Sequence, residues 1–156
     1  MEVPINILNI LHLKFYNKYI FLILMSLNFL CKNSDNTDFT ILLKSTSPLE
    51  IQEFQENIII ELEYNHVLGF MGFHDPDYLS LEIKDSRLSE PDYYHLIPLS
   101  PPESTVSIKG IISIEIDSPF ILGNGNIETL SFNIRIQDRN GEWSNTVSSP
   151  LITLNK

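Results

Sequence analysis

Two histidines and two aspartates lie within twelve residues of one another and could in principle hold a metal ion. They are His66, His74, Asp75 and Asp77. A zinc site needs three or four convergent nitrogen, oxygen or sulfur ligands, and the spacing of the two histidines neither guarantees nor forbids convergence. Aspartates in an HDPD sequence more often accept hydrogen bonds from the backbone amides of a turn. We therefore predict a turn here, with no metal site and no cofactor.

Catalytic chemistry has few candidate groups in this chain. A hydrolase needs a nucleophile beside a base and an orienting acid, and His95 is the base candidate in DYYHLIPL. No serine lies in a G-x-S-x-G elbow. Glu61 and Glu63 alternate with apolar residues, so they are expected on the wet face of a strand. We predict that the protein is not an enzyme and has no catalytic residue. The competing hypothesis, a small periplasmic hydrolase, requires His95 bonded to both a serine and a carboxylate.

Three aromatic residues form a possible ligand platform. Tyr93, Tyr94 and Trp143 could stack on a sugar or a peptide, because aromatic rings bury large areas while keeping a polar group. The alternative is that Trp143 packs over its NG turn and that one of the two tyrosines points inward. The connection over residues 85–104 contains four prolines, which lower the entropy lost on binding. We expect a protein or glycan ligand at this 85–104 loop.

The N-terminal part has the pattern of an export signal. Residues 19–30 are an apolar run of twelve, whereas a bilayer-spanning helix needs about 20. A secretory signal has an apolar region of about 7–15 residues behind a positive region, and Lys14 and Lys18 supply that charge. We predict a signal peptide helix over residues 1–30, with the true translation start near Leu13.

The single cysteine follows this run directly. Its position resembles the lipobox of bacterial lipoproteins, in which the cysteine receives a lipid and becomes the new N-terminus. The resemblance implies that Cys31 is lipidated and that residues 31–38 form a lipid-anchored tether. Two or more acyl chains make such attachment stable, whereas one binds marginally. Phe29 and Leu30 stand where a lipobox has small residues, so an uncut signal and an unmodified cysteine stay open as alternatives.

After residue 38 the apolar residues recur with a period of two. Such alternation is typical of antiparallel sheets with one buried and one wet face. Turn-forming sequences such as GNGN and NG separate the runs. We predict an all-β domain over residues 39–156, an antiparallel immunoglobulin-like sandwich of six or seven strands. Within it, Gly110 is expected to mark a bulge or bend, and Pro150 an edge strand. The predicted strands are 39–44, 57–64, 79–84, 104–117, 127–138 and 150–154.

Two segments of this domain resemble one family. The sequence from 63 to 99, beginning EYNHVLGFMGFHDPD, and the closing IQDRNGEWSNTVSSPLITL are similar to small Bacteroidetes lipoproteins with an immunoglobulin-like sandwich. The likeness covers roughly residues 57–154. Members of this group are mostly of unknown activity, so the resemblance implies a fold and a location rather than a reaction.

In those relatives the first segment reads Y-x-D-x-D-G-D-x-G-F-x-D-P-D, which looks like a calcium loop because closely spaced carboxylates supply the oxygens that Ca²⁺ prefers. In this chain His66, Leu68 and Phe70 stand at the first three acid positions. Asp75 and Asp77 are retained. We predict a degenerate calcium-type loop that binds calcium weakly or not at all.

Charge narrows the choice of partners. The chain carries 20 acidic and 10 basic residues, a net charge of −10, which repels phosphate backbones and argues against nucleic acid. The combined prediction is an exported lipoprotein of the cell envelope, at the outer membrane, which contacts the membrane through its lipid and acts as a non-catalytic binding or structural module. The alternative is a carbohydrate-binding accessory protein of polysaccharide uptake.

Overall fold

The computed structural model describes residues 39–99 and 105–156, and these residues form ten strands and no helix. The predicted signal peptide and the lipidation site at Cys31 lie outside the described residues. Within the described part, no helix is long and apolar enough to cross a bilayer. The strands are β1 (Phe39–Ser47), β2 (Glu50–Gln52), β3 (Ile58–His66), β4 (Leu79–Asp85), β5 (Asp92–His95), β6 (Ile108–Ile116), β7 (Ile127–Leu130), β8 (Phe132–Ile136), β9 (Val147–Ser148) and β10 (Ile152–Asn155).

The strands form three small sheets, with orders β1-β3-β6, β2-β10-β7 and β5-β4-β8-β9. All pairs are antiparallel except β2 with β10. The structure therefore confirms the predicted all-β class with antiparallel sheets. Ten strands replace the predicted six or seven because β2, β5 and β9 are short and carry too few residues to show a period of two.

One hydrophobic core is shared by the three sheets. Strand β3 shows why: its burial alternates strictly, with Ile58, Ile60, Leu62 and Tyr64 facing inward and the glutamates facing out. Side chains of the other sheets meet this face, which is the physical basis of a sandwich. The fully buried residues are Phe39, Ile41, Ile51, Ile58, Ile60, Leu62, Met71, Leu130, Ile134, Ile136, Ile152 and Leu154.

Two sequence-based expectations about strand position are wrong. The predicted strand 127–138 is divided at Ser131 into β7 and β8, which belong to different sheets. The last strand is not an edge strand, because β10 lies between β2 and β7. Pro150 precedes Ile152, the first residue of β10, so its missing amide hydrogen costs no ladder hydrogen bond.

Gly110 does not mark a bulge. Strand β6 pairs with β3 without any register shift, and Gly110 lies opposite Tyr64. A Cβ atom built on Gly110 would lie 2.6 Å from the Tyr64 hydroxyl oxygen and 2.8 Å from its Cζ atom. The glycine is therefore needed to make room for the inward-facing tyrosine ring of the neighbouring strand.

Candidate functional site

The long connection predicted over residues 85–104 has its own secondary structure as far as the structure describes it. Strand β5 begins at Asp92 and pairs with β4, so the expectation of an irregular loop is wrong for this part. Arg87 fixes the turn between the two strands, since its guanidinium bonds the Asp85 carboxylate at 2.7 Å and the Phe120 carbonyl oxygen at 2.9 Å. Residues 100–104 lie outside the description.

Tyr93 and Tyr94 point to opposite faces of their sheet. Tyr93 lies opposite Glu82, whereas Tyr94 lies opposite the buried Leu81. Successive side chains on a strand alternate between faces. The structure therefore separates the two tyrosines of the predicted platform, although both are nearly half exposed. Trp143 lies on the same face of the sheet as Tyr93.

A row of four side chains, here called the outer ladder, crosses the solvent face of β5, β4 and β8. It consists of Tyr93, Glu82, Arg135 and Trp143. Glu82 lies opposite both Tyr93 and Arg135. The Arg135 Nε and Nη2 atoms donate to the two Glu82 carboxylate oxygens at 2.8 and 2.7 Å. The guanidinium carbon of Arg135 lies 4.3 Å from the centre of the Trp143 ring, a cation–π contact.

Hydrogen bonds set the charges of the outer ladder. The bond from Arg135 lowers the pKa of Glu82, and the same bond raises the pKa of Arg135. A side-chain hydrogen bond to Glu82 raises the pKa of Tyr93. At neutral pH the ladder is therefore an ionised carboxylate–guanidinium pair between two aromatic rings. Such a surface suits stacking and hydrogen bonding to a ligand, and its carboxylate is already occupied, which disfavours acid–base catalysis.

The second exposed feature is a groove between β5 and β6, here called the Tyr94 groove. It comprises two adjoining cavities of ≈ 250 and ≈ 360 Å³. Both are lined by Ile83, Tyr94, Ile116 and Asp117. The floor is apolar, since it includes the side chains of β4 and of the inner face of β6.

Acidic groups border the Tyr94 groove. Asp92 and Asp117 line it beside Tyr94. Partial burial is the largest cause that raises the pKa of the Tyr94 hydroxyl, and the two nearby carboxylates add to it. The ring of Tyr94 therefore presents a neutral hydroxyl among negative charges.

His66 is a buried structural partner of Asp138. The two side chains are 3% and 4% exposed, and the His66 Nε2 atom lies 3.2 Å from Asp138 Oδ2. Asp138 Oδ1 also accepts the backbone amides of Asn140 and Glu142, each at 2.8 Å. The contact therefore ties the end of β3 to the turn after β8, and it takes His66 away from the HDPD turn.

The hydrogen bonds of His66 define its tautomer. Its Nδ1 atom accepts the backbone amide of Leu68 at 3.1 Å, so that nitrogen carries no hydrogen. The Nε2 atom therefore carries the ring hydrogen and donates a hydrogen bond to Asp138 Oδ2. The pair resembles the base and acid of a catalytic triad, but a base must reach the proton that it abstracts, and the His66 ring is buried against the rings of Phe39 and Phe70.

The HDPD segment forms the predicted turn. Asp75 Oδ1 accepts the backbone amide of Asp77 at 3.0 Å, and both aspartates are exposed. Gly72 before it has φ = 77°, and a Cβ there would meet the Ile97 carbonyl oxygen at 2.0 Å. In the described part of the chain, no three metal-ligating side chains converge. Weak or absent calcium binding stays a prediction.

His95 bonds the backbone rather than a triad. Its Nδ1 atom lies 3.2 Å from the carbonyl oxygen of Tyr78. No bond from His95 to a serine or a carboxylate is present among residues 39–99 and 105–156. The hydrolase hypothesis required both bonds, so these residues give it no support.

Comparisons with protein-family models, with curated proteins and with solved structures find no match to this chain. A function for this chain therefore has to be inferred from the geometry of the described residues.

Sequence reasoning missed three members of these sites. Glu82 and Arg135 are 53 residues apart, and Asp138 is 72 residues from His66. A local signal existed only for Asp138, which immediately precedes the R-N-G turn of the closing segment and so can accept turn amides. Opposite charges at outward positions of two strands do not reveal that the strands are neighbours.

Proposed function

We propose that this chain is an exported, lipid-anchored lipoprotein of the bacterial cell envelope whose β domain is a non-catalytic binding or structural module. The outer ladder is the observation that supports the binding role. It presents an exposed tyrosine beside a fixed ion pair on a regular sheet, and rigid presentation lowers the entropy cost of binding. The apolar run before Cys31 and the likeness to small Bacteroidetes lipoproteins support the anchor and the envelope location.

The anchor is tested by intact mass and detergent partitioning of the full chain expressed in a Gram-negative host. We expect loss of residues 1–30, a mass increment for diacylglycerol and an acyl group on Cys31, and partition into the detergent phase. Cys31→Ser is the control, because it removes only the acceptor sulfur and should appear in the aqueous phase or as the uncut precursor. A full-length, unmodified wild-type chain with a reactive thiol would contradict the proposal.

The second candidate is a carbohydrate-binding accessory protein of polysaccharide uptake, which the outer ladder also favours. Aromatic rings stack on sugar faces, and fixed polar groups beside them bond to hydroxyls. Because Arg135 covers one face of Trp143, Tyr93 is the principal stacking ring. In the outer ladder Tyr93 is the exposed aromatic ring and Trp143 is partly buried, whereas the sequence suggested a platform of three aromatic residues.

Titration calorimetry with malto-, cello- and xylo-oligosaccharides distinguishes the two candidates. If the accessory role holds, one series binds and Tyr93→Ala weakens it at least about tenfold, the value of one stacking contact. Tyr94→Ala is the matched control, since it removes an equally exposed tyrosine from the other face of β5. Equal losses in both variants, or no binding by any series, would favour the general binding or structural role.

A further inference from the structure

Among residues 39–99 and 105–156, no strand pairs with the outer edge of β6, and this open edge differs from the other sheet edges in its length and regularity. Edge strands expose unpaired backbone groups, and proteins protect them by shortness, bulges, prolines, charged side chains or covering groups; in β6 the charged side chains are Lys109 and Glu115. Strands β2, β5, β7 and β9 have two to four residues each. Strand β1 has nine residues but contains a register shift between Leu43 and Ser45. Strand β6 also has nine residues, but it has no proline and no shift.

The sequence of β6 is complementary to itself in one antiparallel register. If two copies pair with Ile112 opposite Ile112, then Lys109 of each copy lies opposite Glu115 of the other. Both residues are on the outer face of the sheet, where directly opposite charges attract. On the same face Ile111 lies opposite Ser113, and Ile111 is 60% exposed in the single chain.

The inner face of β6 matches itself in this register as well. Its inward residues are Ile108, Gly110, Ile112, Ile114 and Ile116, so the inner pairs contain no polar side chain. Three of the four isoleucines are only half buried in the single chain. A strand added beside β6 would cover them.

The Tyr94 groove lies beneath this open edge. One of its cavities is lined by every residue from Ile112 to Asp117, inward and outward positions alike. A cavity lined by both faces of a strand reaches the backbone edge of that strand. The incoming β6 of a second copy would therefore place its isoleucines over the apolar floor of the groove.

We propose that two copies of this chain associate through antiparallel pairing of β6 about a two-fold axis at Ile112, forming a continuous sheet β1-β3-β6-β6-β3-β1. The interface is isologous, as in most homodimers. Each copy carries a net charge of −10, but at physiological ionic strength the screening length is about 8 Å. The two Lys109–Glu115 pairs are closer than that, so they act at the edge with little screening, although Lys109 also contacts Glu63 of its own chain at 2.9 Å.

Charge reversal tests the register. Sedimentation of the full chain in detergent micelles should show a monomer–dimer equilibrium. Lys109→Glu places two glutamates opposite each other at both ends of the interface, and Glu115→Lys does the same with lysines. Each variant alone should weaken the dimer about tenfold or more, because two favourable cross-strand pairs become unfavourable. An equimolar mixture of the two variants should restore the dimer as a heterodimer, since both opposite pairs between the two copies are then Glu–Lys.

A cysteine pair tests the same register without relying on charge. Ile111→Cys with Ser113→Cys places each new thiol opposite one from the second copy, with Cα atoms about 4.5–5.5 Å apart, which is within the Cα separation that a disulfide spans. The double variant should form covalent dimers on mild oxidation. The two single variants should not form covalent dimers, because each new cysteine then lies opposite a residue without a thiol. Both retain Cys31, so they also show whether that cysteine cross-links the chains.

Several outcomes would overturn the proposal. A wild-type chain that stays monomeric at all concentrations would do so, as would single charge variants that dimerise like the wild type. A mixture that fails to restore the dimer would refute this register. If the wild-type monomer instead bound an alternating basic peptide at β6, the open edge would serve another protein. Thermal unfolding of each variant separates these outcomes from loss of the fold.

Discussion

The two edge strands of the β1-β3-β6 sheet have equal length, but they differ in whether a side chain bonds their outer backbone groups. At β1, the side-chain amide of Asn145 donates to the Ile41 carbonyl oxygen at 2.9 Å and accepts the Ile41 amide at 2.8 Å. It therefore imitates the backbone of a missing neighbour strand. No described residue pairs in this way with the outer edge of β6, where Ile111 is exposed. The two edges of this sheet thus differ, because a described side chain pairs with the backbone of Ile41 in β1 and none does so in β6.

The largest predicted effect compares a buried side chain of β1 with an exposed side chain of β6. Ile41 is fully buried, so Ile41→Ala should lower the free energy of unfolding by about 2–5 kcal/mol. Ile111→Ala is the matched control and, measured at a concentration where the chain is monomeric, should change it by less than about 0.5 kcal/mol. Urea unfolding followed by the fluorescence of the single tryptophan, Trp143, measures both. Similar losses in the two variants would contradict the assignment of the faces.

The second prediction concerns the side of β6 that is fixed to β3. Gly110→Ala forces a methyl group against the Tyr64 ring and should cost about 1–3 kcal/mol through overpacking. Tyr64→Phe removes the hydroxyl oxygen that makes the shortest contact, so the double variant should be less destabilised than the sum of the two single variants. Additive losses would show that the two residues do not meet.

The third prediction concerns the contact between Asn145 and the backbone of Ile41 at the edge of β1. Asn145→Ala leaves both backbone groups of Ile41 without these partners and should cost about 1–3 kcal/mol. Asn133→Ala removes an exposed amide that bonds the Ser148 hydroxyl on the outer face of β8, and it should cost less than about 0.5 kcal/mol. Equal urea midpoints for these two variants would show that Asn145 does not protect the edge.

The smallest predicted effect on stability concerns Glu63, whose carboxylate contacts a lysine of each edge strand. Glu63 on the central strand bonds Lys109 of β6 at 2.9 Å and Lys44 of β1 at 3.3 Å. The hydrogen bond from Lys109, and then that from Lys44, lowers the pKa of Glu63 below its ordinary value of 4.5. A lowered folded-state pKa contributes stability above the unfolded-state pKa, and this contribution is lost as the pH falls through the folded-state pKa.

Glu63→Gln should therefore be slightly less stable than the wild type at pH 7, and the difference should shrink as the pH falls below 4.5. Urea midpoints at pH 7 and at the lowest pH where both chains fold measure this. Glu61→Gln gives a comparison on the same strand at a residue that bonds the Ser45 hydroxyl instead of a lysine. A difference between Glu63→Gln and the wild type that grows in acid would contradict a lowered pKa for Glu63.

The long strands could be predicted from sequence because their periodicity is a local property. Ile58, Ile60 and Leu62 alternate with outward residues, and this alternation alone specifies a strand with one buried face. The short strands were missed for the same reason. Strand β5 has four residues with no buried position, so only its pairing with β4 makes it a strand.

The candidate site was predicted only in part. The residue types of Tyr93, Tyr94 and Trp143 indicated a platform. Adjacent residues of a strand point to opposite faces, however, and this separates the two tyrosines. That consequence required knowing that residues 92–95 form a strand. The contribution of Arg135 depended on the pairing of β4 with β8, which brings together residues 53 positions apart.

The sequence by itself determined the all-β class and the HDPD turn, because alternation and turn chemistry act over a few residues. The tertiary structure decided which edge Asn145 closes, which aspartate His66 bonds and where β10 lies. These depend on contacts between residues up to 104 positions apart. Many pairings of such strands satisfy the same local pattern, and only packing around one shared core selects among them.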